Sequence, residues 1–185
     1  MWCFDAAPPA LLRLGQPALE RLLDAPDSAF WATYMEARDY GSLRGHAIAA
    51  FAKVDMDSVL LAMKRRKWTN ARVALSGVAL VQDARVVPLL VRAYADEGPP
   101  VRARAIEYLG DQRDPVATAT VHRALRDRSS DVRLAAIRAL GKNGDPEAIE
   151  PLEATLARNP SALLVANEVK LALKIIRAQS KARAK

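Results

Sequence analysis

The feature that most constrains this chain is a fixed interval. Segments opening at Asp83, Asp114 and Asp145 run to Leu90, Val121 and Leu152 with matching apolar positions, and their starts are 31 residues apart. The stretches before them match at the same offset. Val101-Arg102 pairs with Val132-Arg133, Ile106 with Ile137, and Leu109-Gly110 with Leu140-Gly141. Two matching segments per period, each about ten residues long, describe a helical hairpin that cannot bury its apolar face alone and must stack on a copy of itself.

Local chemistry agrees with that reading. Asp114-Pro115 and Asp145-Pro146 place a side-chain acceptor ahead of a proline at the first helical position, where a missing N–H costs nothing. Val101, Ala105, Ile106 and Leu109 form one stripe at helical spacing, and Ala117, Val121, Ala124 and Leu125 form another. Gly110 and Gly141 follow the last apolar position of the first helix and are expected to close it in the left-handed conformation. Small residues recur at Ala74, Ala105 and Ala136, as helices that cross closely require.

These lines resemble HEAT-like repeats of the phycobilisome-lyase type, through Val101-Arg102, Tyr108-Leu109-Gly110-Asp111, Asp131-Val132-Arg133, Ala139-Leu140-Gly141 and Asp145 to Ile149. The resemblance covers roughly residues 70–178. It implies an all-α fold, a right-handed α-α superhelix (a HEAT-like repeat solenoid) of stacked antiparallel helical hairpins with an inner ridge of second helices. It also implies that Arg102 and Arg133 are structural arginines bonded to loop carboxylates. The expected organisation is a single array over 1–185: irregular N-terminal repeats over 1–68, regular 31-residue repeats over 69–160, a C-terminal capping helix over 161–178 and a basic tail over 179–185. Seven of the ten aromatics precede residue 52, so Phe30-Trp31 and Tyr34 belong to a bulkier opening cap. Asn167, Lys170, Lys174 and Arg177 are the only polar stripe of the last helix, which leaves a wide apolar surface to cover the last hairpin or to dock another chain.

The net charge of +7 is unevenly distributed. Residues 64–95 carry +6 and residues 161–185 carry +5, while 1–63 and 96–160 carry −3 and −1. The repeat register sets Lys64, Arg92 and Arg123 in one column of the second helices, with Lys67 and Arg126 in a second, less complete one. The next unit has Ala154 and Ala157, where the stripe is expected to stop. Packed helices lie roughly 8–10 Å apart, so such a ladder suits an acidic protein strip or a phosphate backbone, and Trp68 beside it could stack on a base. The expected partner-binding residues are therefore Lys64, Lys67, Trp68, Arg92, Arg123 and Arg126.

Other chemistry is missing from the sequence. His46 and His122 have no ligand spacing, and neither is followed by Glu as in the HEAT-repeat deoxyhypusine hydroxylases, so no metal, cofactor or catalytic residue is expected. The single Cys3 excludes an internal disulfide. No apolar run approaches the roughly 18 residues of a membrane helix, and Met1–Asp5 lacks a basic n-region. No membrane association is expected, and the expected compartment is the cytoplasm. The leading expectation is a noncatalytic protein-protein interaction scaffold. The alternatives are a nucleic-acid-binding relative of the HEAT-like DNA glycosylases and a phycobilin lyase-like protein.

Overall fold

The computed structural model describes residues 55–64, 83–96, 98–158 and 162–183, together with positions 15, 17, 19–20, 48–49, 51–53, 75 and 77–81. Every regular element among them is helical. The chain divides into two units, Met1–Leu89 and Leu90–Lys185. In the first, helix α1 (Met56–Lys64) begins where the Asp55 carboxylate accepts the Ser58 amide at 3.0 Å, and it buries Met56, Val59, Leu60 and Met63. Arg85 holds Asp83 and Asp57, at 2.7 and 2.8 Å. Helix α2 (Val86–Asp96) follows, with Val86, Leu90 and Ala93 fully buried. Of the N-terminal aromatics, Phe51 is buried, whereas Phe30, Trp31 and Tyr34 lie outside the described residues.

The second unit carries the regular repeats. Helices α3 (Pro99–Gly110) and α4 (Pro115–Ala124) form one hairpin. Helix α5 (Ser130–Asn143) and a 3-10 turn, Pro146–Ala148, leading into α6 (Ile149–Arg158), form the next, and α7 (Leu163–Arg183) closes the set. The first helices α3, α5 and α7 stack on one another, α5 packing most extensively on α3 and then on α7. The second helices α4 and α6 pack onto the first helices more than onto each other. Both expected stripes are buried except for Val101, which is half-buried, and Arg102 and Thr120 join them inside. Asp114 accepts the Val116 and Ala117 amides at 2.7 and 3.0 Å, and Asp145 accepts that of Glu147 at 2.9 Å, so both carboxylates cap as expected.

The glycines act differently from the sequence expectation. Gly110 and Gly141 do not close their helices in the left-handed conformation. Gly110 is the last helical residue of α3 and Gly141 lies inside α5, and of the described glycines only Gly15 and Gly144 have positive φ. Gly144, at φ +63°, is the left-handed cap of α5, and its amide reaches the Leu140 carbonyl. Gly110 and Gly141 instead mark where consecutive first helices touch. A Cβ on Gly110 would stand 2.5 Å from the Ala139 Cβ and 3.3 Å from its Cα. On Gly141 it would meet the Ala172 Cβ at 2.8 Å and Cα at 3.0 Å. Each contact sets the glycine against an alanine methyl and the backbone behind it, and a methyl has no rotamer by which to yield. The Asn143 amide crosses the same junction to the Gly110 carbonyl at 2.6 Å.

The last helix also departs from expectation. It runs to Arg183, five residues past the expected end at 178, because nothing in Gln179–Arg183 breaks a helix and Lys181 and Arg183 suit the negative end of its dipole. Val165, Ala166, Val169, Ala172, Leu173 and Ile176 are buried beneath it. The apolar surface anticipated as wide is thus mostly consumed by α5 and α6.

The close approach predicts an inverted response to Gly→Ala. In an exposed helix that change gains about 1 kcal/mol. At Gly110 and Gly141 the added methyl overpacks the junction, so each variant should lose about 1–3 kcal/mol in urea unfolding. A gain at either position would show that the first helices do not touch there.

Candidate functional site

A buried ion pair organises the second unit around the loop between α4 and α5. The Arg102 guanidinium, projecting from α3, donates through Nη2 and Nε to the two oxygens of Asp127 at 2.8 and 3.2 Å. The side chains are only 7% and 8% exposed, so neither charge has solvent in place of the other. The Ser129 amide adds a bond of 2.8 Å to the same carboxylate, and the Tyr94 hydroxyl donates to it from α2. Burial alone would push the Asp127 carboxyl up, but Arg102, the Ser129 amide and Tyr94 together hold it below the usual carboxylate range. Tyr94 in turn titrates above its ordinary range, through burial and the negative charge of Asp127.

Arg133 grips the same loop from the other side. Its Nη1 donates to the Asp127 and Arg128 carbonyls at 2.9 and 3.2 Å, so it bonds backbone and not the carboxylate expected of it. The repeat register explains the difference. The residue 31 positions after Asp127 is Arg158, which offers Arg133 a like charge where Arg102 finds an opposite one. Arg133 Nε is left buried and without a hydrogen-bond partner among the described residues.

Because α4 and α6 sit apart on the first helices, an open groove of about 510 Å³ lies between them. Arg123 and Arg126 line it from α4, and Glu150, Ala154 and Arg158 from α6, with His122 on its wall. The Arg123 guanidinium lies over the Tyr94 ring, 5.4 Å from its centroid, so a cation of the groove is positioned by the residue that also bonds Asp127. His122 Nε2 is 2.8 Å from the capping carboxylate of Asp145, so it is a structural link between the hairpins. Arg158 donates to Thr155 Oγ1 at 3.2 Å, while Arg126 makes no side-chain hydrogen bond or ion pair among the described residues. Three arginines thus face one groove whose lining acid is Glu150.

Of the residues expected from the sequence, Arg123 and Arg126 are brought together here. Arg92 is exposed on α2 and does not line the groove. Lys64 ends α1 in the other unit, and Lys67 and Trp68 lie outside the described residues. The stripe does not stop at Ala154, since Arg158 restores a cation one turn on. Arg158 escaped the register because it falls 32 and not 31 positions after Arg126. Among the described residues no three His, Cys, Asp or Glu side chains cluster as metal ligands, and no helix is long and apolar enough to cross a membrane.

The Arg102–Asp127 pair makes a testable link to pH. Unfolded Asp127 takes up its proton near the ordinary value of 3.8 and the folded residue lower, so the pair's contribution is complete above that value and lost as pH falls through the folded pKa. Asp127→Asn, which strands a buried guanidinium, should cost about 3–5 kcal/mol at neutral pH. The gap between wild type and variant should narrow below about pH 4 in urea unfolding. A gap independent of pH would assign the loss to packing and not to charge.

Residues 96–174 match the family model described as HEAT repeats. No curated protein matches the chain. Among solved structures, the complex of CpcE and CpcF of phycocyanin lyase from Nostoc sp. PCC7120 contains a chain with a TM-score of 0.68 and 18% sequence identity to this one, over 86% of this chain and 98% of that chain. At that identity the likeness establishes the fold alone, the solenoid of stacked helical hairpins that the family resemblance implied.

Proposed function

We propose that this HEAT-repeat chain is a noncatalytic protein-binding scaffold whose groove between the second helices takes an acidic segment of a partner protein. The observation that carries the reading is the charge of that groove, where Arg123, Arg126 and Arg158 face Glu150. Guanidinium groups are planar forks that bind carboxylates in pairs. Arg123 is already oriented by Tyr94, so part of the ordering cost is met before a ligand arrives. The structurally similar phycocyanin lyase chain was solved as a complex of two proteins, which supports a protein as the partner class. It leaves the lyase-like reading resting on fold alone. A nucleic-acid backbone would use the same arginines, and salt dependence distinguishes it.

The test is titration of a fluorescent, apolar-free glutamate-rich peptide at about 50 mM salt, near the low end of the range in which such contacts are strong. The combined variant Arg123→Glu with Arg126→Glu should lose at least about ten-fold in affinity, equal to 1.4 kcal/mol. Unchanged affinity would place the binding face elsewhere. Tighter binding of a generic duplex, with an affinity that collapses steeply with salt, would favour the nucleic-acid reading.

A further inference from the structure

The outward face of α7 breaks the repeat in a patterned way. Ala139 of α5 and Ala172 of α7 each receive the glycine of the preceding first helix, so positions in the two helices correspond at an offset of 33. By that register the α5 residues Leu134, Ile137, Arg138 and Gly141 become Asn167, Lys170, Leu171 and Lys174. Leu134 and Ile137 are buried in α5, and Arg138 bonds Glu168 of α7 at 2.6 Å. Their counterparts Asn167 and Lys170 are exposed, while the salt-bridging arginine gives way to Leu171, itself 54% exposed.

Lys174 at the glycine position excludes another first helix in the same seating. A bare Cβ at Gly141 already falls 2.8 Å from its neighbour, and lysine adds four further heavy atoms. A second copy of this face is disfavoured by lysine against lysine. What remains is an apolar seam. Leu164, 59% exposed, lies seven residues before Leu171, and the exposed Ala178 lies seven after it. Seven residues are two turns, roughly 10.5 Å along the helix, so the three share one side. Lys170, Lys174, Arg177 and Lys181 flank them, and the one acid of α7, Glu168, is committed to Arg138. Lys170 and Lys174 make no ion pair among the described residues.

We infer that this face docks an acidic amphipathic helix of a partner protein, its apolar residues spaced by seven against Leu164 and Leu171 and its carboxylates against Lys170 and Lys174. Heptad spacing supplies the seam and flanking charges select the partner, as in paired helices generally. This surface is distinct from the arginine groove, and neither reading depends on the other.

The experiment uses the full chain and a helical peptide with leucine every seventh residue flanked by glutamates, followed by fluorescence anisotropy. Leu171→Asp and Leu164→Asp, at exposed positions where circular dichroism should stay unchanged, are each expected to weaken binding at least about ten-fold. Lys170→Glu with Lys174→Glu should abolish it and restore binding to the same peptide carrying lysines. Because the arginine groove also takes glutamates, the titration is repeated in the background Arg123→Glu with Arg126→Glu, where binding that Leu171→Asp weakens should persist. The inference is overturned if the acidic peptide does not bind, if only the groove variant removes binding, or if the chain sediments as a dimer that Leu171→Asp dissociates.

Discussion

The approach of one first helix to the next sets the dimensions of the repeat-bearing unit. Where Gly110 meets Ala139 and Gly141 meets Ala172, backbones are separated by less than a side chain would occupy. Everything else hangs on that spacing. It brings the Asn143 amide to the Gly110 carbonyl and Arg138 to Glu168, and it lets the buried stripes of α3, α5 and α7 form one continuous core. It also holds the second helices on a wider arc, because they rest on the first helices and scarcely on each other. The groove is the space left over.

The Arg102–Asp127 pair fixes the loop at the end of that groove. A buried pair of this kind contributes little net stability compared with apolar packing, but losing one partner is costly. Its value here is positional. Asp127 bonds the hydroxyl of Tyr94, whose ring faces Arg123. A structural carboxylate, an aromatic ring and an exposed cation form one chain of contacts from core to surface.

Much of this was legible in the sequence because repetition reveals register. The 31-residue interval, the Asp-Pro caps and, Val101 apart, both buried stripes could be read directly, and the family resemblance marked Arg102 as a loop-binding arginine. Three kinds of feature resisted. Gly110 and Gly141 looked like left-handed caps, since a glycine needed for close approach and one needed for positive φ leave the same letter. The extent of α7 was missed because polar residues that merely continue a helix resemble a tail. Arg158 was missed because groove lining depends on where two helices stand in space, and an offset of one residue breaks a column on paper without removing a side chain from a surface.

Arg158 has a consequence beyond the groove. It occupies the position at which the preceding repeat places Asp127, so under the proposed function cohesion and recognition compete for one residue. An aspartate there would give Arg133 the partner that Arg102 enjoys, and the groove would lose a cation and gain an anion. A repeat protein optimised only for stability would make every loop the same. This chain gives up that internal clasp at Arg158, the last residue of α6, an asymmetry between successive repeats that their period does not require.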